Sequence, residues 1–281
     1  MGWSLVGALL AAVCFGAASV LEAQGSRAAP QTAGLDPRLL SRLLRSWPFL
    51  IGVGLDLLGF VLELAALLTL PLFLVQSAVA SSLAVTAVLA AKLLGERLSG
   101  PEWTAVVGVC LGLAMLGFSA GREGGDDPGG AFDVALTVAL VLLGGVALWA
   151  TRLAGSARSA ALGLAAGFAF GVVALSARTL TDLHPTVLVR EPSVYLLAVG
   201  GLLGLTVYAM ALQRGSVAVA TSALVLGETV APALIGTLVL GDRARPGLAW
   251  MAVAGFAIAV AAAVALARFG DVSERRVPFS A

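Results

Sequence analysis

An all-α protein crossing a lipid bilayer about nine times is the fold class this sequence predicts. Composition, the length of the apolar runs and the placement of basic residues between them carry the prediction. Apolar residues make up 59% of the 281 and charged residues only 12%, and the mean hydropathy is +1.01. Soluble domains run nearer 45–50% apolar and about 25% charged. A chain this apolar cannot cover a water-facing surface, so it needs lipid as its solvent. A net charge of +1 gives no electrostatic case for nucleic acid as a partner. Cys14 and Cys110 both fall within apolar runs and read as small packing residues rather than a disulfide. His184 is the lone histidine, which leaves no zinc-type spacing. Lys92 is the lone lysine among many arginines, a bias expected of a GC-rich bacterial genome.

A membrane-spanning helix needs roughly 20 apolar residues. Such runs occupy 3–22, 47–70, 72–93, 103–120, 132–151, 160–181, 194–212, 216–240 and 248–267. Lipid offers backbone amides no partners, so each run reads as a helix. Gly95 to Pro101, Gly121 to Gly130 and Gly241 to Gly247 connect them, and Pro71 breaks the second run from the third. Leu21-Glu22-Ala23 loosely mimics a signal-peptide cleavage site, but Met1-Gly2-Trp3-Ser4 carries no basic residue. The first helix is therefore expected to be retained. Residues 36–46 place leucines at 39, 40, 43 and 44 and arginines at 38, 42 and 45. That is an amphipathic helix suited to lie at the membrane surface.

Of the 17 Lys and Arg residues, only Arg122, Arg178, Arg190, Arg243 and Arg245 fall on the side of the first residue. The positive-inside rule puts the richer side in the cytoplasm. The N-terminus is then expected outside and the polar tail, 269–281, inside a cell membrane. The acidic, glycine-rich linker 121–131, with Glu123, Asp126 and Asp127, would face out as a solvated spacer.

The chain holds two weak copies of one unit. Leu58-Gly59, Ala66-Leu67, Gly95-Glu96-Arg97 and Trp103 are matched in order by Leu203-Gly204, Ala211-Leu212, Gly241-Asp242-Arg243 and Trp250. Phe15-Gly16 likewise matches Phe170-Gly171. Residues 1–120 (helices one to four) thus pair with 160–268 (helices six to nine). The extra helix five, 132–153, stands between them. One additional crossing inverts the second four-helix repeat relative to the first. Inverted repeats are a mark of secondary transporters, whose substrate site lies near the midplane.

Pro71-Leu72-Phe73-Leu74-Val75-Gln76, Leu94-Gly95-Glu96-Arg97-Leu98, Glu102-Trp103 and Gly108 resemble the EamA-type half of the drug/metabolite transporter superfamily. Leu240-Gly241-Asp242-Arg243 repeats the ending in the second half. The resemblance covers nearly the whole chain and implies metabolite or drug export. Typical members have ten helices, and the tenth is missing here. Nine helices with an outside N-terminus are similar to the NIPA-type magnesium transporter branch. The glutamate–asparagine pattern of that branch in helix two is not cleanly reproduced.

Charges inside spans cost roughly 2.5–3.5 kcal/mol each on insertion scales and mark functional sites. Gly52, Asp56, Gly59, Glu63 and Ala66 form one stripe of helix two at spacings of four and three. Small residues in that stripe let a neighbour approach and turn both acids inward. Helix eight holds Glu228 beside Thr229 and Pro232, with Thr221 one heptad earlier. Asp56, Glu63, Glu228, Gln76, Tyr208 and Glu22 are the candidate residues of a substrate or ion path. Glu22 is read as the interfacial end of helix one, and Asp56 as lying toward the cytoplasmic mouth. Glu63 and Glu228 are expected to share a polar cavity. The alternative role for each acid is a structural hydrogen bond.

The expected function is a secondary carrier of small solutes, proton-coupled or exchanging. A divalent-cation transporter and a non-transporting membrane scaffold are the alternatives. No enzyme activity is expected, since no nucleophile–base pair or zinc motif stands out, and no glycine-rich lysine motif for ATP occurs. The expected partners are the bilayer and a small-molecule or cation substrate. No cofactor is expected. The metal ligands and the oligomeric state, a homodimer included, stay open.

Overall fold

The computed structural model describes residues 2–28, 42–67, 79, 81–95, 98–119, 121, 129–178, 191–213, 215–239, 241 and 244–275. Nine helices are defined among them: α1 Gly2–Ala28, α2 Trp47–Leu67, α3 Ser82–Leu93, α4 Gly100–Ser119, α5 Gly130–Ala150, α6 Gly155–Arg178, α7 Pro192–Gln213, α8 Val217–Leu238 and α9 Ala249–Arg275. Seven described helices are long and apolar enough to cross a membrane. α2 has 21 residues and carries Asp56 and Glu63. α3 has 12 residues, and the stretch expected to begin that helix, 72–78, lies outside the described residues. So do Pro71, Gln76, Glu96, Arg97, His184, Asp242 and Arg243, together with 36–41 of the amphipathic segment and 122–128 of the acidic linker.

Large apolar side chains cover the outside of the bundle. On α2 they are Leu50, Ile51, Leu57, Leu58, Phe60 and Val61, and on α5 Val134, Val138, Val141, Leu142 and Trp149. Water would not tolerate so much contiguous apolar surface, whereas a hydrocarbon solvent does. The protein is a multi-pass membrane protein.

Polar ties between helix ends fix which ends share a side. The Arg27 side chain at the end of α1 donates to the carbonyls of Leu212 (3.2 Å) and Gly215 (2.7 Å) at the end of α7. Ser159 near the start of α6 donates to Ala211 O at 3.1 Å. Ser193 at the start of α7 meets Asp133 at the start of α5 (3.3 Å). The backbone N–H of Arg245, just ahead of α9, donates to Ser119 O at the end of α4 (3.0 Å).

α1 is longer than its apolar run suggests. It continues past Glu22 to Ala28. The physical reason is Arg27: its guanidinium finds the exposed carbonyls of α7, where a cation also suits the negative end of the helix dipole. α9 likewise continues past Arg268, through the start of the expected polar tail, to Arg275. At the start of α4, Glu102 accepts from both the N–H (2.6 Å) and the hydroxyl (2.7 Å) of Ser99. One carboxylate oxygen of Glu102 thus satisfies two donors just ahead of the helix.

Glycines set how closely the helices approach. α4 and α9 pair along Gly108 and Gly112, where an added Cβ would meet Ala262 and the backbone at Gly255 and Ala259. α6 presses Gly163 and Gly167 onto the α8 backbone at Ala220, Leu224 and Glu228. On α1, Gly16 receives Ser82 and Val85 of α3. Removing side chains from a membrane helix face gains van der Waals contact between backbones. α5 packs at the margin, placing Phe132, Leu136 and Leu140 against Ala169, Val172 and Leu175 of α6 and Leu196 of α7.

Two features recur in both halves. Gly59 faces the ring of Phe15, and Gly204 faces the ring of Phe170. Gly95 after α3 and Gly241 after α8 both take the left-handed conformation, with φ of 70° and 75°. Glycine is favoured there because a Cβ would clash.

Candidate functional site

The acids named from the sequence come from three helices and converge. The stripe on α2 behaves as its spacing demands: Gly52, Gly59 and Ala66 are buried, Asp56 and Glu63 are half-buried, and Leu57, Phe60 and Val61 on the other flank are exposed. The inward face lies on α1. A Cβ at Gly52 would sit 2.6 Å from Glu22 Cγ and 3.0 Å from Ala18 O, so the absence of a side chain makes room for Glu22.

Glu22 is thereby the most enclosed acid of the group, at 1% exposure. The reading of Glu22 as an interfacial helix end is corrected. The helix continues beyond it, and Gly52 admits α2 close enough to cover it. Its carboxyl lies within hydrogen-bonding reach of Asp56. Two carboxylates offer only acceptor oxygens, so a hydrogen bond between them requires a proton on one. The second oxygen, Glu22 Oε1, has no hydrogen-bond partner among the described residues.

Glu228 reaches the same region from α8. It interacts electrostatically with both Asp56 and Glu63. The backbone at Glu228 is held against α6 by Gly167, where a Cβ would lie 2.9 Å from the Glu228 N. Pro232 follows one turn later within α8, at a position where a helix loses one backbone hydrogen bond. Asp56, Glu63 and Glu228 are each half-buried.

Tyr208 of α7 closes the group. It is 5% exposed, and its hydroxyl shares a 2.7 Å hydrogen bond with Thr221 Oγ1 on α8. It also lies within hydrogen-bonding reach of Ser19 and within electrostatic reach of Glu22 and Asp56. Glu22, Asp56, Glu63, Tyr208 and Glu228 are thus brought together. Gln76 lies outside the described residues.

The sequence reading passed over several polar groups here. Ser19 and Ser26 are buried and flank Glu22, the three recurring at i, i+3 and i+7 along one face of α1. Gln213 on α7 and Ser222 on α8 are buried too, and among the described residues their side chains find no hydrogen-bond partner. The helical spacing of the α1 serines about Glu22 was a signal available in the sequence. Among the described residues no three His, Cys, Asp or Glu side chains group closely enough to hold a metal ion. The arrangement offers carboxyl oxygens and hydroxyls within an apolar bundle. Such a set can hold a proton, or a cationic or polar solute.

The chain is 28% identical to an uncharacterised protein of Corynebacterium glutamicum over 201 residues, a match covering 68% of each chain. No family model matches the chain. No solved structure matches it.

Proposed function

We propose that the protein is a secondary carrier of small solutes, with the carboxyl cluster of Glu22, Asp56, Glu63 and Glu228 as its coupling site. The observation that carries this reading is the convergence of acids from α1, α2 and α8 within an apolar bundle. Ionisable groups in a membrane interior are costly and are kept for transport or proton relay. A carboxyl that binds either a proton or a solute, and is exposed to each side in turn, couples the two flows.

The proposed architecture is nine spans in two inverted repeats, α1–α4 and α6–α9, with α5 between them. The N-terminus is outside and the tail lies in the cytoplasm of a bacterial cell. The Phe15–Gly59 and Phe170–Gly204 contacts support the repeat, as do the left-handed Gly95 and Gly241. α1 pairs with α2 as α6 pairs with α7, and the last helices of the two halves, α4 and α9, pair with each other. The cluster then lies where the halves meet, as in other inverted-repeat carriers. The resemblance to the drug/metabolite transporter superfamily fits this reading.

The test is solute flux in proteoliposomes under an imposed pH gradient, screened over metabolites, amines and divalent ions. Glu63→Gln, Glu228→Gln and Glu22→Gln each keep shape and hydrogen bonding but remove titration. The expected outcome is that gradient-driven flux falls to the level of empty vesicles while the variants still elute as folded protein. Normal flux with unchanged pH dependence in all three would refute the coupling role.

A further inference from the structure

The idle polar atoms on α1 and α7 follow one direction from the carboxyl cluster. Glu22 Oε1 is the first. One turn further along α1, Ser26 is fully buried, and among the described residues its hydroxyl has no partner. At the end of α7, Gln213 is buried with both its amide nitrogen and its amide oxygen unpartnered among the described residues. Ser26 directly precedes Arg27, and Gln213 lies between the two residues whose carbonyls Arg27 holds. The idle groups therefore mark the stretch from the Glu22–Asp56 pair to the end of the bundle where α1 and α7 finish.

A buried amide or hydroxyl without a partner is unfavourable, and leucine or alanine would pack there without that cost. Uncharged groups that both donate and accept are suited to water, which needs two to four polar neighbours. Yet the end of α7 is enclosed. All seven residues from Val207 to Gln213 are buried. At this end the Arg27 guanidinium, carried by the first half of the chain, is bonded to two carbonyls of the second.

We propose that Ser26 and Gln213 line a water-filled passage from the Glu22–Asp56 pair to the α1/α7 end of the bundle, and that Arg27, bridging Leu212 O and Gly215 O, is the gate that closes it. The proposal rests on the carrier reading, in which the cluster must reach one side of the membrane at a time. The two carbonyls belong to a helix end and the turn after it, so releasing them breaks no helix. The planar fork of arginine spans both acceptors, which a lysine ammonium does not reproduce.

The test is cysteine accessibility in a background without Cys14 and Cys110. Ser26→Cys and Gln213→Cys are exposed to a membrane-impermeant thiol reagent in inside-out and right-side-out vesicles, with Arg27 intact, as Arg27→Gln and as Arg27→Lys. The expected result is labelling in inside-out vesicles only, at least tenfold faster with Arg27→Gln and intermediate with Arg27→Lys. Met210→Cys, fully buried on the same helix, is the control for general loosening and stays unreactive. Equal rates with and without Arg27, labelling from the other side, or Met210→Cys reacting alongside would each overturn the gate. Labelling is read without transport, so the two ideas separate. Gated labelling without solute flux removes the carrier and keeps the passage, and flux without gated labelling does the reverse.

Discussion

Three glycines on one helix give a graded test of how α2 is held. Gly52→Ala places a Cβ 2.6 Å from Glu22 Cγ, 3.0 Å from Ala18 O and 3.1 Å from Glu22 N. Comfortable carbon–carbon contact begins near 3.5 Å, so α1 and α2 must part by about 1 Å. Two of the three obstacles are backbone atoms of α1 and cannot turn aside. Overpacking of this kind costs about 1–3 kcal/mol. For Gly59→Ala the three nearest atoms all belong to the ring of Phe15, at 2.9–3.2 Å, and a ring at the end of a side chain can rotate. Its cost should fall below that of Gly52→Ala. Gly54→Ala meets nothing within 4 Å and replaces a helix-interior glycine, which favours the variant by about 0.5–1 kcal/mol. Thermal unfolding in detergent, followed by intrinsic fluorescence, should rank the melting points Gly54→Ala, wild type, Gly59→Ala, Gly52→Ala. A Gly52→Ala protein as stable as Gly54→Ala would show that α2 does not rest on α1 at Glu22, and the site geometry would fall with it.

Tyr208→Phe and Thr221→Val each remove one end of a buried hydrogen bond. A double-mutant cycle on unfolding should give a coupling of about 0.5–1.5 kcal/mol, and zero coupling would deny the contact. Ser99→Ala removes one of the two hydrogen bonds to Glu102 and should lower stability by about 0.5–1.5 kcal/mol, whereas an unchanged melting point would deny that contact. For topology, Ser4→Cys should label from outside intact cells and Ser280→Cys only after permeabilisation, in a background lacking Cys14 and Cys110. Outside labelling at Ser280→Cys would reverse the orientation.

The apolar runs made the helices legible, because a span length and a composition are local properties. The inward stripe of α2 was legible for the same reason, since Gly52, Asp56, Gly59 and Glu63 follow helical spacing. Glu22 was misjudged because the end of an apolar run is not the end of a helix. What prolongs α1 is the pairing of Arg27 with carbonyls of α7, nearly two hundred positions away, and no local pattern encodes that pairing. Gln213 escaped notice for a related reason. At the end of a span a glutamine looks like an interfacial residue, and only the burial of the whole final stretch of α7 shows that it is enclosed by protein. The tight pairing of α4 with α9 was equally hidden. Gly108 and Gly112 announce a close neighbour but not its identity.

That pairing has a consequence for how the protein is made. The glycine face of α4 leaves the ribosome long before the helix that covers it exists. At about 5–20 residues per second, the interval before α9 is complete is on the order of 10 s. Throughout that time α4 must sit in the membrane, or beside the insertion machinery, with its most closely packed surface against lipid or a chaperone. Closure of the bundle is then a late event of biogenesis. A nonsense mutation or proteolytic cut within the last span would orphan α4 as well as delete α9. Quality control would meet such a product as a bundle open along one seam.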